Sequence, residues 1–371
     1  MPSINLLIKP ASSLCNMGCK YCFYRNVARN RNTQSFGIMS EEVIDAMIKN
    51  VFLYATEAVS FAFQGGEPTV AGDKFYIAFH KAVEKYNTKK LPIAFSLQTN
   101  GYAISDFMIE LFKKHRYLIG VSLDGDRVLH DSLRTTLSDG PTYDKINDTI
   151  SRFDKAGIDY NILTVITEDV AKRGAEVYKH LRDRGFKFLQ FIPYVPDFGN
   201  ENESESYTLT NEKYAYFLNE TFREYHKDFI NGSYVSVRQF DNFVRIAAGL
   251  NPECCGMGGR CYANLVAEAD GSVYPCDFYV LDRWKMGNIT KTPIAELLSS
   301  EEARRFVSES FSVSEECKKC PYLSICRGGC RRHRDNPSGS LTLNRYCNAY
   351  KEFFKSSITL ISDISRRLCK K

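Results

Sequence analysis

Three cysteines within eight residues constrain this chain more than any other feature. They are Cys15, Cys19 and Cys22, separated by three residues and then by two. Three thiolates can hold three irons of a four-iron cubane and leave the fourth iron open, whereas an electron-transfer cluster is closed by four cysteines. An open iron can bind a substrate or a cofactor, so the loop predicts a cluster that takes part in chemistry. A zinc knuckle or a disulfide loop is the alternative, although zinc sites usually have four ligands.

Composition narrows the class of protein. The 371 residues, 44% of them apolar, suffice for a barrel with an extension. The net charge of +5 is small and indicates neither nucleic acid nor an acidic membrane surface as a partner. No secretory signal and no membrane-spanning apolar run is evident in the sequence. We therefore expect a cytoplasmic protein, in which 13 cysteines favour metal sites or catalysis over disulfides.

Strand and helix patterns alternate through the first 230 residues. Near-continuous apolar runs predict strands at 4–9, 58–64, 92–98, 117–123, 159–166 and 186–193. Apolar residues at helical spacing predict helices at 40–54, 74–87, 105–115, 142–156, 171–184 and 210–230, the first with Ser40 as its N-cap. Such alternation is typical of a parallel sheet buried on both faces. The pattern predicts an α/β fold of six units, fewer than the eight of a complete (β/α)8 barrel.

Polar and glycine-rich segments follow several of these strands. They are Gln64–Pro68, Gln98–Gly101 and Ser122–Gly125, and the cysteine loop follows the first strand in the same way. In a (β/α) barrel the loops after the strands converge on one mouth, where active sites lie. The segments therefore predict a single site at that mouth.

Cysteines dominate the sequence after residue 230, where we place a domain boundary. Seven of them have informative spacing: Cys261, Cys276, Cys317, Cys320, Cys326, Cys330 and Cys347. A turn at Gly271 predicts a hairpin that brings Cys261 near Cys276. Cys254 or Cys255 can supply an eighth thiolate, and eight thiolates close two four-iron clusters. Two structural zinc sites are the alternative.

A dense basic cluster lies among these cysteines. It consists of Arg327, Arg331, Arg332, His333 and Arg334. Cations beside cysteines favour thiolates, but a solvated basic loop fits the same pattern.

Two motifs resemble the signatures of radical S-adenosylmethionine (SAM) enzymes. They are the cysteine loop with its aromatic flanks, and the run Gly65-Gly66-Glu67-Pro68. In that family the open iron chelates SAM, and the glycine-rich run contacts its amino group. The resemblance implies a partial (β/α)6 radical SAM barrel over residues 1–230. The SAM contacts it implies are Tyr21, Gln64, Gly65, Gly66, Glu67, Ser122 and Arg134, although a surface position is the ordinary interpretation of an arginine.

The cysteine order in residues 231–371 resembles the SPASM extension of peptide-modifying radical SAM enzymes. The family's arrangement implies one [4Fe-4S] cluster on Cys255, Cys261, Cys276 and Cys330. It implies another on Cys317, Cys320, Cys326 and Cys347. The protein would then hold three clusters, and Cys255 is favoured over Cys254 by the resemblance alone.

The run Pro-Cys276-Asp277-Phe-Tyr resembles the anaerobic sulfatase-maturating enzymes, and the resemblance extends over the whole chain. It implies oxidation of a Cys or Ser, in a Cys/Ser-x-Pro-x-Arg segment of a sulfatase, to Cα-formylglycine. A 5′-deoxyadenosyl radical would take the β-hydrogen, Asp277 would act as the base, and an auxiliary cluster would take the second electron. A flavodoxin- or ferredoxin-type protein is the implied reductant. A turn or capping role is the ordinary interpretation of an isolated aspartate.

Two other functions stay open from the sequence. Another SPASM enzyme, such as one that crosslinks thioethers, would share the clusters. Such enzymes often have an N-terminal peptide-recognition domain, and only 14 residues precede Cys15 here. A noncatalytic iron–sulfur or zinc-binding module would need neither the open three-cysteine site nor the Gly-Gly-Glu-Pro run.

Overall fold

A computed structural model describes residues 3–198, 205–335 and 341–369. Its strands are β1 (Ile4–Ile8), β2 (Val59–Phe63), β3 (Ile93–Thr99), β4 (Leu118–Ser122), β5 (Tyr160–Ile166), β6 (Phe188–Pro193), β7 (Ser236–Val237), β8 (Leu265–Ala267), β9 (Ser272–Tyr274) and β10 (Gly287–Asn288). Its helices are α1 (Phe23–Arg29), α2 (Glu41–Tyr54), α3 (Gly72–Tyr86), α4 (Asp106–Lys114), α5 (Arg127–Leu133), α6 (Tyr143–Ala156), α7 (Glu168–Lys172), α8 (Gly174–Asp183), α9 (Asn211–Ile230), α10 (Arg238–Ala247), α11 (Ile294–Leu298), α12 (Glu301–Ser310), α13 (Glu315–Lys318), α14 (Leu323–Cys326) and α15 (Cys347–Cys369).

The predicted α/β class is confirmed, and the predicted strands form β1 to β6. The Ser40 side chain caps α2 as predicted, accepting a hydrogen bond from the Val43 backbone N–H. The helix predicted at 171–184 is instead divided into α7 and α8. A side chain at Gly174, the first residue of α8, would collide with Phe217 and Thr221 of α9. Close packing of α8 against α9 therefore requires a glycine at this position.

The chain forms two compact units that interleave along the sequence. The first contains Met1–Ser122, Leu133–Tyr160 and Tyr262–Val307. Its strands run in the order β10-β9-β8-β1-β2-β3-β4, with β8, β1, β2, β3 and β4 parallel to one another. Leu6 of β1 lies opposite Phe61 and Leu265, and all three side chains are buried. β8 and β9 form the hairpin predicted at Gly271.

The second unit contains Leu123–Ser132, Asn161–Cys261 and Ser308–Lys371. In it β6 pairs in parallel with β5 and with β7. Helix α15 packs against α9 and α10, and the buried rings of Phe222, Phe240 and Phe353 lie at this packing. Neither unit begins or ends at residue 230, so the predicted domain boundary there stays a prediction.

Parallel pairing decides where the polar segments of the first unit lie. The carboxyl ends of β1, β2, β3 and β4 share one edge of the sheet, so the segments that follow them are neighbours. Within the described residues, no helix is both long enough and apolar enough to cross a membrane.

Candidate active site

The three N-terminal cysteines lie in the loop between β1 and α1. Cys22 is the N-cap residue of α1, Cys19 is buried, and Cys15 and Cys22 are half-buried. Burial, with smaller contributions from the charges of Glu67, Cys19 and Cys22, raises the pKa of the Cys15 thiol to about 12, although a hydrogen bond from the Met17 backbone opposes the rise. A bound metal reverses this preference, because the thiolate is the form that ligates.

Three thiols in one loop are a donor set that suits a [4Fe-4S] cluster with one open iron. Across the described parts of the chain, no three His, Cys, Asp or Glu side chains are close enough to hold one metal ion. In a [4Fe-4S] cluster each thiolate binds a different iron, so the sulfur atoms are spread around the cubane.

Hydrogen-bond donors surround the sulfur atoms of this loop. The backbone N–H of Met17 lies 3.4 Å from Cys15 Sγ. Asn100 Nδ2 lies 3.7 Å from the same atom, and Arg134 Nη1 lies 3.9 Å from Cys19 Sγ. Arg134 is only 6% exposed, so its interpretation as a surface arginine is wrong. Donors of this kind stabilise thiolate charge on a cluster.

Gly65 and Gly66 allow the cysteine loop to pack directly on the end of β2. Their φ angles are +100° and +55°, a region that favours glycine. A Cβ atom at Gly65 would collide with Lys9 Nζ, and one at Gly66 with the Leu14 carbonyl oxygen. The loop is fixed further by the Glu67 backbone N–H, which donates to that same oxygen at 2.8 Å.

Replacing Gly66 with alanine should therefore displace the cysteine loop. The substitution combines a strained φ with a collision against backbone, so we expect a loss of about 1–3 kcal/mol in the free energy of unfolding. We also expect the loss of about four irons per chain after anaerobic reconstitution. Gly37→Ala is the matched control, because its φ is +71° but nothing lies within 4 Å of the new Cβ. Equal iron contents and melting temperatures in the two variants would contradict this account.

Glu67 connects the ends of β2 and β3. Its carboxylate is 1% exposed and accepts hydrogen bonds from Thr69, Thr99 Oγ1 at 2.7 Å and the Asn100 N–H at 2.7 Å. Burial raises the pKa of Glu67, and these hydrogen bonds oppose the rise. Asn100, which the Glu67 carboxylate holds, is the residue that also approaches Cys15. The predicted contact of Glu67 with SAM stays a prediction.

Asp277 follows Cys276 and lies among three donors from the ends of β1, β2 and the start of α1. Its Oδ2 accepts hydrogen bonds from Tyr24 Oη at 2.5 Å and from Gln64 Nε2 at 3.1 Å. Its Oδ1 lies 3.5 Å from Lys9 Nζ, and in this ion pair Lys9 is buried while Asp277 is half-buried. Burial, followed by the Asp277 charge, raises the pKa of Tyr24 well above its usual value. The tyrosine therefore stays a donor to Asp277 Oδ2.

The sequence interpretation missed two of these partners. Nothing in the sequence identifies Lys9 or Tyr24 as a partner of Asp277. Lys9 does follow β1 directly, at the sheet edge where the site was expected. Gln64, predicted as a SAM contact, donates to both Tyr24 and Asp277. Ser122, at the end of β4, accepts a hydrogen bond from Gln98 Nε2 at 3.2 Å. Tyr21 lies with its ring centroid 5.4 Å from the Arg134 guanidinium carbon.

Four of the later cysteines line one cavity in the second unit. They are Cys317, Cys320, Cys326 and Cys347, the set predicted for one auxiliary cluster. Ser314 caps α13 by accepting from the Cys317 backbone N–H at 3.2 Å. Burial raises the pKa of Cys326 to about 11, and the charges of the other three thiols add to the rise. A common cavity and mutual electrostatic influence fit a shared cluster.

A second group of thiols in the same unit contains Cys255, Cys261 and Cys330. Burial raises the pKa of Cys330 to about 12, and the charges of Cys255, Cys261 and Cys254 contribute in that order. A Cβ at Gly256 would lie 3.2 Å from Cys330 Cβ, so the backbone beside Cys255 packs on Cys330. Cys276 belongs to the first unit, and its membership of this group stays a prediction.

Three of the five residues of the basic cluster next to Cys330 are buried. Arg331, Arg332 and Arg334 are buried, so the solvated-loop interpretation is wrong for these three residues. Burial raises the pKa of the Cys261 thiol, and the positive charges of Arg331 and Arg334 oppose that rise.

Comparison with known proteins gives matches over the whole chain. Residues 10–181 match the family model of the radical SAM superfamily, and residues 255–321 match that of an iron-sulfur cluster-binding domain, SPASM. The chain is 42% identical over 369 residues to the cysteine-type anaerobic sulfatase-maturating enzyme of Clostridium perfringens, covering 99% of this chain and 100% of the relative. It is 27% identical over 368 residues to the serine-type enzyme of Bacteroides thetaiotaomicron, covering 94% and 88%. The solved structure of native anSMEcpe with bound AdoMet and Cp18Cys peptide matches with a TM-score of 0.95 and 40% identity, over 99% of this chain and 100% of that chain.

Proposed function

Because this chain belongs to the anaerobic sulfatase-maturating enzymes, which are radical SAM oxidoreductases, we propose that it oxidises a cysteine of a sulfatase to Cα-formylglycine in the cytoplasm. A cysteine target is favoured over serine because the cysteine-type relative shares far more identity with this chain than the serine-type relative. The observation that carries the proposal is the arrangement around Asp277, a half-buried carboxylate beside the cysteine loop with Tyr24 and Gln64 as donors.

The residues present fit the cofactors of this chemistry. Cys15, Cys19 and Cys22 would hold the first cluster and leave one iron open for SAM. The predicted SAM contacts are Tyr21, Gln64, Gly65, Gly66, Glu67, Ser122 and Arg134. When bound, the first cluster and SAM supply the 5′-deoxyadenosyl radical that removes the β-hydrogen, and an auxiliary cluster accepts the second electron.

Asp277 is proposed to take the proton of the substrate thiol. Two donors occupy Oδ2, so Oδ1 is the oxygen proposed to receive the proton from the substrate Sγ–H. Lys9, 3.5 Å from Oδ1, forms an ion pair with the carboxylate that would act as the base and holds it in position. The Lys9 ammonium also lies 4.4 Å from the ring centroid of Tyr24, which stabilises the cation in its buried position.

The cluster set is proposed to be three [4Fe-4S] clusters. Cys317, Cys320, Cys326 and Cys347 would hold one auxiliary cluster, and Cys255, Cys261, Cys276 and Cys330 the other. A flavodoxin- or ferredoxin-type protein is the proposed source of electrons.

The direct test is anaerobic turnover of a peptide with a Cys-x-Pro-x-Arg segment in the presence of SAM and dithionite. Mass spectrometry is expected to show the CH2–SH group replaced by an aldehyde, with formation of 5′-deoxyadenosine. The matched Ser-x-Pro-x-Arg peptide is expected to react more slowly. A thioether-linked product would instead support a different SPASM activity, and the absence of any 5′-deoxyadenosine would contradict the radical SAM proposal.

A pair of single substitutions tests which adjacent cysteine is the ligand. Cys255→Ala is expected to remove about four irons per chain, because Cys255 has the larger electrostatic influence on Cys330 and its neighbour Gly256 packs there. Cys254→Ala is the control and is expected to keep the full iron content. Iron and sulfide analysis after anaerobic reconstitution measures both, and the reverse result would assign Cys254.

A further inference from the structure

The buried basic cluster has no role in the chemistry described so far. Arg331, Arg332 and Arg334 are 2%, 5% and 4% exposed. Burying a guanidinium is costly unless a negative charge compensates it. The groups that contact these three arginines therefore indicate their role.

Two of the arginines have compensation within the protein. Arg331 lies 2.6 Å from a carboxylate oxygen of Glu309 and 3.7 Å from one of Asp335. Arg332 donates to the Pro196 carbonyl oxygen and stacks on Phe198, with its guanidinium carbon 3.8 Å from the ring centroid. These contacts explain how both can be buried.

Arg334 differs from both: among the described residues it has no carboxylate partner such as those of Arg331 and no aromatic ring such as the one under Arg332. It donates to the carbonyl oxygens of Ser312 and Ser310, each at 2.9 Å. In the described part of the chain no carboxylate lies within ion-pair distance of it, and its Nε has no hydrogen-bond partner. A buried cation without a protein anion indicates a negative charge that belongs to a bound group.

The proposed cluster ligands lie next to this cation. Ser310, whose carbonyl accepts from Arg334, also accepts a hydrogen bond through its Oγ from the Cys261 backbone N–H at 2.9 Å. Cys330 directly precedes Arg331 in the sequence. One serine therefore connects a ligand cysteine to the uncompensated arginine.

We propose that Arg334, assisted by Arg331, is the counter-charge of the iron–sulfur cluster on Cys261 and Cys330 and raises its reduction potential. The inference rests on the proposed function, which supplies that cluster. A cluster with four thiolates is an anion, and one-electron reduction adds another negative charge, so a fixed cation favours the reduced form. The electron comes from the substrate carbon radical as its thiol proton passes to Asp277, leaving a carbon–sulfur double bond. Arg334 thus makes this iron–sulfur cluster a better electron acceptor than it would be without the cation.

A redox titration followed by electron paramagnetic resonance tests this assignment. It is performed on the full chain with Cys15, Cys19 and Cys22 replaced by alanine, so that only the auxiliary clusters contribute. Arg334→Gln is expected to lower the potential of one couple by at least about 59 mV, a tenfold change in its equilibrium constant. Arg334→Lys is expected to keep the potential of the unsubstituted protein, because it keeps the charge. The redox couple of the other auxiliary cluster serves as an internal reference.

A second variant is expected to shift the reduction potential in the opposite direction, and it does not change a buried residue. Glu309 is 42% exposed, and Glu309→Gln removes the anion beside Arg331. It is expected to shift the same couple to a more positive potential. Arg366→Gln is the control, because it removes a cation that is 74% exposed in the same unit, and no shift is expected.

The outcomes separate this inference from the proposed function. Unchanged potentials in Arg334→Gln with full auxiliary iron would overturn the role of Arg334. If Arg334→Gln fails to retain iron, an unchanged potential in Glu309→Gln overturns it instead. Absence of auxiliary iron from the otherwise unsubstituted protein would overturn the cluster assignment of the proposed function itself.

Discussion

Asp277→Asn is expected to lower formylglycine formation by about 10²–10⁴-fold, the usual contribution of a general base. Asparagine has nearly the shape of aspartate and can still accept the hydrogen bond from Tyr24 through its carbonyl oxygen. It cannot take a proton, and it loses the charge that faces Lys9. The yield of aldehyde peptide, measured by mass spectrometry under single-turnover conditions, is the quantity that should fall.

The production of 5′-deoxyadenosine distinguishes a lost base from a damaged site. It should continue in Asp277→Asn, because every proposed SAM contact and every ligand of the first cluster keeps its own side chain, and Gln64 keeps its hydrogen bond to Tyr24. Asp282→Asn is a matched control, since Asp282 is exposed on the same segment and accepts from the Asn32 backbone N–H. An Asp277→Asn variant with full aldehyde yield would remove Asp277 from the role of base.

Elements with a clear local pattern were predicted from the sequence, and those that depend on tertiary packing were not. β1 to β6 are rich in apolar residues, alternate positions of β1 and β2 are buried, and the apolar runs are visible without a structure. α1 was missed within the predicted cysteine loop, since it has seven residues, including Arg25 and Arg29, and no side-chain cap. The division of α7 from α8 depends on contact with α9, which local propensity does not contain.

The site was predictable where chemistry depends on spacing along the chain. The cysteine loop and Gly65-Gly66-Glu67 are local motifs, and parallel strands bring their ends together. The surroundings of Asp277 are not local, because Lys9 and Tyr24 lie 268 and 253 residues away in sequence. Neither residue type is unusual, so only the fold identifies them as its partners.

Burial is the other property that the sequence left open. The basic cluster at residues 327–334 has the composition of a surface loop, yet Arg334 is buried against backbone carbonyls. The composition shows only that charged residues are clustered, whereas the structure shows which of them are buried. In our proposal, the thiolates of a bound cluster would compensate this charge, and no neighbouring residue in the sequence indicates that.

Replacing Cys15, Cys19 and Cys22 together with alanine is expected to abolish 5′-deoxyadenosine formation and to remove about four of about twelve irons per chain. The auxiliary cysteines belong to a different segment, and four of them line their own cavity, so their iron and their resonance signals should persist. Iron analysis, spectroscopy and circular dichroism on the same sample measure these effects. The control Cys254→Ala should retain both iron and activity.

This triple substitution separates the radical enzyme from a noncatalytic iron–sulfur protein. In an electron carrier the three N-terminal thiols would add only another redox couple, and no SAM cleavage would exist to be lost. In the proposed enzyme they hold the one open iron, and the Gly66 backbone fixes the loop that carries them. Persistence of 5′-deoxyadenosine formation in the variant would place SAM cleavage elsewhere in the chain. Loss of all iron with unchanged circular dichroism would show that the auxiliary clusters depend on the first.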